Sequence, residues 1–125
     1  MDGLTFGRAP RVLIVEPNPG SAEIIAEILQ AVGCEIVGPC SSLPQADGLM
    51  VQGAQIDGAV LEMAVQGRFT FDLAARLIED RNAVVFFSRC GAQLLPNRLR
   101  AAPVLPKPQG IEWLASVAIE TFFKT

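Results

Sequence analysis

Five short apolar runs alternate with five segments of helical character, and this alternation is the strongest constraint on the fold. The runs are RVLIVE (11–16), CEIVG (34–38), DGAVLEM (57–63), AVVFFS (83–88) and PVLPKP (103–108). Runs that are apolar at nearly every position are typical of strands covered on both faces. Strict alternation of strand and helix favours a parallel sheet with helices on both sides. The sequence therefore predicts a doubly wound α/β domain with a five-stranded parallel sheet.

The segments between these runs carry the helical signals. Asn18 is placed to cap the first helix, Pro19 to occupy its first turn, and Gly33 to end it. Amphipathic helices are expected at 21–33, 43–53, 71–80 and 111–123. The segment 91–102 is expected to form a poor helix that is broken by Pro96.

The length and the connections limit the topology further. The connections fit the flavodoxin-like strand order 2-1-3-4-5, in which ligands bind outside the carboxyl ends of the strands. Pro103 and Pro106 each remove a ladder donor, so the fifth strand is expected at an edge of the sheet. With 125 residues, the chain is about as long as one typical domain. We expect a single domain over 1–125 with an ordered core of about 10–124.

Composition excludes several classes of protein. Half of the residues are hydrophobic and the formal net charge is −3, with scattered Lys and Arg, so we expect no nucleic-acid partner and no binding to anionic lipid. No apolar stretch approaches the ~20 residues that span a bilayer, and the segment 1–10 lacks the apolar core of a signal peptide. These features predict a cytoplasmic protein with no membrane partner.

The chain contains no histidine. This excludes a Ser-His-Asp triad, a Cys-His pair, a histidine-ligated metal and a phosphohistidine on this chain. Cys34 and Cys40 flank one predicted strand and would lie about 20 Å apart, too far for a disulfide. Together with Cys90, they are expected to be small, reduced and buried.

Polar side chains stand where the otherwise apolar strands end. Glu16 ends the first strand, Glu62 the third and Ser88 the fourth, and Lys107 follows the fifth. Singly, each has an ordinary explanation: a solvated strand end, a hydroxyl that satisfies a backbone group, or a surface lysine. The carboxyl ends of parallel strands meet at one edge of the sheet, so together these residues indicate a functional site.

The motifs that carry these residues resemble the receiver domain of bacterial two-component response regulators. The resemblance runs from Arg11 to about Phe122 and rests on VLIVE, GCEIVGPCSS, DGAVLEM, VVFFS and PVLPKP. The stretch LPNRLRAAPVLPKP further resembles receivers that consist of this domain alone. The family is regulatory, so no enzymatic activity is expected.

The resemblance implies a role for each site residue. In such domains an aspartate at the third-strand end accepts a phosphoryl group from a histidine kinase, and two acidic residues at the first-strand end help to hold Mg²⁺. A hydroxyl and a lysine then bind the phosphoryl group. The corresponding positions here are Glu62, Glu16 with Pro17, Ser88 and Lys107.

Two of these positions depart from the family pattern. Pro17 removes a carboxylate from the Mg²⁺ site, so Mg²⁺ is expected to bind weakly or not at all, and no other cofactor is expected. Glu62 replaces the aspartate and carries its carboxylate roughly 1.5 Å further into the crevice. Because misplacement by ~1 Å can cost on the order of 10²-fold in rate, phosphoryl transfer should be severely slowed.

The longer side chain of Glu62 suggests a second consequence. We hypothesise that Glu62 pairs with Lys107 and holds the domain in one signalling state without phosphate. One alternative is a decayed site with no fixed state. A second is a phosphoacceptor that is still modified at Glu62 or a nearby hydroxyl. A third, a small flavodoxin-like enzyme or nucleotide-binding protein, is disfavoured because VEPNPGSAE lacks Gly-x-Gly-x-x-Gly and a phosphate-loop lysine.

The leading interpretation is therefore a degenerate receiver, or pseudo-receiver, of a phosphorelay that docks to a histidine kinase, a phosphotransfer protein or another regulator. Trp113 and Phe123 fall off the apolar stripe of the last helix, which favours an interface, although partial burial against segment 91–102 would also explain them. The resemblance implies a homodimer, or a docked partner, at the surface formed by 91–102, the fifth strand and the last helix.

Overall fold

The main sheet of the computed structural model, which describes residues 8–123, has five parallel strands. They are β1 Arg11–Val15, β2 Glu35–Cys40, β3 Gly58–Leu61, β4 Ala83–Ser88 and β5 Val104–Pro106. Their order across the sheet is β2-β1-β3-β4-β5. The doubly wound α/β class, the order 2-1-3-4-5 and the edge position of the proline-rich β5 are confirmed.

Four α-helices connect or follow the strands. They are α1 Pro19–Ala31, α2 Leu43–Val51, α3 Phe71–Glu79 and α4 Ile111–Phe122. Asn18 caps α1, since its side-chain oxygen accepts a hydrogen bond from the backbone N–H of Ser21 at 2.9 Å. Gly33 follows the helix with φ +105°, as expected for a residue that ends it. Within residues 8–123, no helix is long and apolar enough to cross a membrane.

The sheet separates two apolar layers. On one face, α1 and α4 cover a cluster that includes Ile14, Val60 and Phe87. On the other, α2 and α3 cover a cluster that includes Leu13 and Phe86. Because successive residues of a strand point to opposite faces, strands with both faces covered must be apolar throughout. This requirement explains the uninterrupted apolar runs of the sequence.

The expected helix over 91–102 does not form. The segment makes two short 3₁₀ turns, Ala92–Leu94 and Asn97–Leu99. Between them Leu95 is extended, with φ −68° and ψ 133°, because the residue before a proline avoids the helical region. Buried Leu95 and Leu99 attach the segment to the core. The surface that the resemblance suggests for a dimer therefore lacks the helix that was expected over 91–102.

The apolar stripes of the helices are narrower than the sequence indicated. By helical spacing in the sequence, Ile24, Ile78 and Ile119 fall among the apolar residues of their helices, yet all three are substantially exposed. In α1, buried Ile25 and Leu29 face the sheet. Ile24 lies about 100° around the helix from Ile25 and therefore points away from the sheet.

A short hairpin between β3 and α3 was not predicted. Ala64–Val65 pairs in antiparallel fashion with Arg68–Phe69. Gln66 and Gly67 form its turn with φ values of +52° and +78°, as two-residue hairpin turns require. The hairpin leads directly from Glu62 towards α3.

The structure confirms the expected burial of Cys34 and Cys40 but not that of Cys90. All three thiols are free, with Cys34 and Cys40 buried and Cys90 partly buried. Burial raises the pKa of the Cys34 thiol to about 11. Cys34 and Cys40 therefore behave as small core residues, and Cys90 packs at the margin of the core.

Gly58 provides a test of the packing between β3 and α4. A Cβ at this position would lie 2.5 Å from two ring atoms of Phe122 and 3.1 Å from the carbonyl oxygen of Ala83. Gly58→Ala should therefore lower the free energy of unfolding by about 1–3 kcal/mol, measured by urea denaturation. Gly48→Ala is the control, because a Cβ there meets nothing within 4 Å and alanine should stabilise α2 by about 0.5–1 kcal/mol. An unchanged stability for Gly58→Ala would contradict the close contact.

Candidate functional site

Backbone hydrogen bonds carry the sheet one residue beyond its strands and thereby place the site residues. The N–H of Glu16 donates to the last carbonyl of β2 at 2.8 Å, and that of Glu62 donates to the last carbonyl of β1 at 3.0 Å. The N–H of Lys107 donates to the carbonyl of Ser88 at 3.0 Å. The four residues predicted at the carboxyl edge are thus held by the sheet itself.

Lys107 lies between the two glutamates. Its ammonium nitrogen is 2.7 Å from Glu16 Oε1 and 2.7 Å from Glu62 Oε1. Glu16 is 2% exposed and Glu62 is 8% exposed. The Oε2 atom of Glu16 accepts a hydrogen bond from the backbone N–H of Asn18 at 3.0 Å. The other oxygen of Glu16, Oε1, therefore has the Lys107 ammonium as its ion-pair partner.

The second oxygen of Glu62 is also engaged. Glu62 Oε2 accepts hydrogen bonds from the Ser88 hydroxyl and from the backbone N–H of Met63, the latter at 2.7 Å. The Ser88 oxygen in turn accepts a hydrogen bond from the N–H of Cys90 at 3.1 Å. The four predicted residues therefore form one continuous network, which runs from Glu16 through Lys107 and Glu62 to Ser88. Both Glu62 oxygens have partners in it.

The charges of the network determine the protonation of Lys107. Burial lowers the pKa of Lys107, but its contacts with Glu16 and Glu62 raise the pKa more, so the net shift is upward from the ordinary value of 10.5. The ammonium also lies 5.6 Å from the ring centroid of Phe87, within the range of a cation–π contact. Lys107 is therefore charged throughout the neutral range.

Thr70 supports the site and was missed in the sequence. It is fully buried, and its hydroxyl donates to the carbonyl of Glu62 at 2.7 Å. Its N–H donates to the carbonyl of Met63 at 2.8 Å. A threonine before a helical stripe resembles an N-cap, yet Thr70 makes no side-chain cap bond. Instead, it clamps the end of the hairpin loop to the end of β3.

The donor set does not fit a magnesium ion. Pro17 offers no side-chain oxygen, and Lys107 lies between the two remaining carboxylates. Across residues 8–123, no group of three or more Cys, Asp or Glu residues is arranged to hold a metal. Mg²⁺ prefers six oxygen ligands at 2.0–2.1 Å, and this pocket does not present them.

The two aromatic residues predicted at an interface lie outside this network. Trp113 is half-exposed on α4, and Phe123 is partly exposed just after that helix. The Phe123 ring lies beside Gly33, where a Cβ would be 3.5 Å from its Cζ atom.

The role of Lys107 predicts how stability depends on alkaline pH. A pKa raised in the folded chain means that the stabilisation by Lys107 is complete below pH 10.5 and is lost as the pH rises through the higher folded value. Lys107→Met should lower the free energy of unfolding by roughly 3 kcal/mol at neutral pH.

Urea denaturation from about pH 8 to about pH 11.5 should show this difference shrinking only above about pH 10.5. Cys34 titrates in the same range, but its effect cancels because both proteins contain it. A difference that stays constant up to the highest pH would contradict the assignment.

Comparison with solved structures supports the fold, whereas comparison of the sequence alone finds no match. No protein-family model and no curated protein matches the sequence. Among solved structures, SdrG from Sphingomonas melonis Fr1 aligns with a TM-score of 0.74 and 24% identity, over 93% of this chain and 98% of SdrG. The response regulator PhyR from Brucella abortus aligns with a TM-score of 0.76 and 21% identity, over 92% of this chain but only 48% of PhyR.

A third structure extends the comparison. The response regulator TrrA from Thermotoga maritima, solved in complex with Mg²⁺ and BeF, aligns with a TM-score of 0.73 and 18% identity, over 90% of this chain and 98% of TrrA. At these identities the likeness concerns the three-dimensional arrangement. The chain has the fold of response regulator receiver domains.

Proposed function

We propose that the protein is a cytoplasmic receiver-like module of a bacterial two-component or phosphorelay system. In this proposal it is not phosphorylated in the normal way and acts by docking to a histidine kinase, a phosphotransfer protein or another regulator. The observation that carries the proposal is the continuous network of Glu16, Glu62, Ser88 and Lys107. The hydroxyl and the ammonium that would bind a phosphoryl group are already bound to the Glu62 carboxylate.

The contacts of Glu62 oppose its use as a phosphoacceptor. An attacking carboxylate oxygen must be free to approach phosphorus in line, and enzymes of phosphoryl transfer act mainly by positioning and charge stabilisation. Both Glu62 oxygens have partners, one with Lys107 and the other with Ser88 and Met63. To react, Glu62 must lose at least one of them beside the buried negative charge of Glu16.

The same contacts favour a fixed state over a decayed site. A decayed pocket would leave its polar groups without specific partners. Here Thr70 holds the Glu62 carbonyl at 2.7 Å, and Lys107 holds the carboxylate at 2.7 Å. Buried polar groups with satisfied contacts restrict the local conformation. We therefore favour a single signalling state that is maintained without phosphate.

Phosphoryl uptake tests the proposal. The purified protein is incubated with Mg²⁺ and a small-molecule phosphodonor, and its intact mass is recorded. The wild type should gain no phosphoryl group, whereas Glu62→Asp combined with Pro17→Asp should gain one, because an acceptor of normal length and a metal-binding carboxylate are restored. The matched control, Glu62→Asn with Pro17→Asp, lacks the acceptor and should stay unlabelled. A labelled wild type would support the alternative of a phosphoacceptor at Glu62 or a nearby hydroxyl.

The α1/α4 face, formed by α1 and α4 where they pack together, is the surface that we propose for docking. Its exposed charges are four glutamates, Glu23, Glu27, Glu112 and Glu120, and neither helix contains a Lys or Arg. Exposed apolar groups lie on the same two helices, namely Ile24, Trp113 and Ile119. Acidic charge around large apolar side chains fits a partner surface that is basic and apolar. A homodimer at the surface formed by 91–102, β5 and α4 remains the second form of this proposal.

A substitution of Trp113 tests this face. Trp113→Ala should weaken self-association, or the binding of a cognate kinase or phosphotransfer protein, by about 30-fold, because buried tryptophans are frequent hot spots worth about 2 kcal/mol or more. Val51→Ala on α2 is the control, because Val51 is also an exposed apolar residue but lies on the opposite side of the sheet. Sedimentation velocity and titration calorimetry would measure both variants. Equal behaviour of Trp113→Ala and the wild type would remove Trp113 from the interface.

A further inference from the structure

The pocket at the carboxyl edge, where the resemblance implies a Mg²⁺ site, contains a side-chain cation in this protein. TrrA, which has the same fold, was solved with Mg²⁺ and BeF. Here the Lys107 ammonium lies 2.7 Å from one oxygen of Glu16 and 2.7 Å from one oxygen of Glu62. We propose that Lys107 is the resident cation of this carboxylate pair, so that the domain keeps its conformation without divalent metal and excludes Mg²⁺. The inference deepens the proposed function and rests on the same network.

Lys107 leaves neither space nor favourable charge for a metal ion between the two carboxylates. An ion that bridges the two carboxylates would occupy the region where the ammonium already lies. Mg²⁺ would need the oxygens at 2.0–2.1 Å, and a charge of +2 this close to an ammonium would be strongly repelled. A bound metal and the observed position of Lys107 therefore exclude each other.

All four carboxylate oxygens of Glu16 and Glu62 already have partners in the protein. Glu16 Oε2 accepts a hydrogen bond from the Asn18 N–H, and Glu62 Oε2 accepts from Met63 and Ser88. Only the two Oε1 atoms remain, and both face Lys107. Pro17 contributes no carboxylate. A metal would thus have to displace Lys107 to gain two protein ligands out of the six that Mg²⁺ prefers.

The buried carboxylates of Glu16 and Glu62 require a positive charge close to them. Glu16 is 2% exposed, and its Oε1 atom lies 2.7 Å from the Lys107 ammonium. Without the ammonium, two buried carboxylates would face each other with uncompensated charge, which is a costly arrangement. Such a pair has a strong tendency to capture a cation. Lys107 therefore supplies the charge compensation that a metal supplies in a typical site.

Mn²⁺ binding followed by electron paramagnetic resonance tests the proposal directly. The wild type at about pH 7.5 should show no saturable binding of Mn²⁺ up to millimolar concentrations, and its melting temperature should be the same in EDTA as in excess Mg²⁺. Lys107→Met should bind Mn²⁺ saturably. Its melting temperature should rise by roughly 5–10 °C at a metal concentration about 100 times the dissociation constant. Lys107→Met combined with Glu16→Gln should lose both effects.

Either of two results would overturn the proposal. One is saturable Mn²⁺ binding by the wild type that Mg²⁺ displaces and that Glu16→Gln abolishes. The other is a folded Lys107→Met protein that gains no metal-dependent rise in melting temperature. If Lys107→Met does not fold, the wild-type titration decides alone, because it needs no variant of Lys107.

The experiment separates this inference from the proposed function. Phosphoryl uptake by the wild type in the presence of EDTA, together with no Mn²⁺ binding, would refute the non-phosphorylated function while leaving Lys107 as the resident cation. Mn²⁺ binding by the wild type without any phosphoryl uptake would refute Lys107 as the resident cation while leaving the non-phosphorylated function in place. Each claim therefore has its own decisive measurement.

Discussion

A single ammonium group between two buried carboxylates is the interaction on which the carboxyl edge of this domain depends. Lys107 contacts Glu16 and Glu62 at equal distances of 2.7 Å, and the three side chains connect the ends of β1, β3 and β5. Removing the positive charge would leave buried negative charge without a counterion, which proteins tolerate poorly. The ion pairs therefore stabilise the carboxyl edge of the sheet.

Two hydroxyl groups also hold Glu62 in place. The Ser88 hydroxyl donates to the Glu62 carboxylate, and the Thr70 hydroxyl donates to the backbone carbonyl of Glu62. In a receiver fold, a hydroxyl and a lysine at these positions are expected to meet an incoming phosphoryl group. Here the Glu62 carboxylate, which is one methylene longer than an aspartate, binds both the hydroxyl and the ammonium.

Much of this arrangement could be read from the sequence, but the supporting contacts could not. The apolar runs indicated the strands, and their polar ends indicated Glu16, Glu62, Ser88 and Lys107 as neighbours. Thr70 was missed because its hydroxyl bonds across the hairpin to β3, a contact set by a turn with two positive φ values. The segment 91–102 was expected to be a poor helix, but the local restriction before Pro96 left only 3₁₀ turns.

The sequence by itself determined the order of elements, because strands covered on both faces must be apolar at successive positions and helices must show a 3.6-residue period. It also determined which side chains stand at the strand ends. Only the tertiary structure decided that Lys107 lies between both glutamates and that both oxygens of Glu62 are engaged. Residue spacing specifies a neighbourhood of several ångströms, whereas a 2.7 Å contact depends on the register of the parallel strands and on the packing of the loops that follow them.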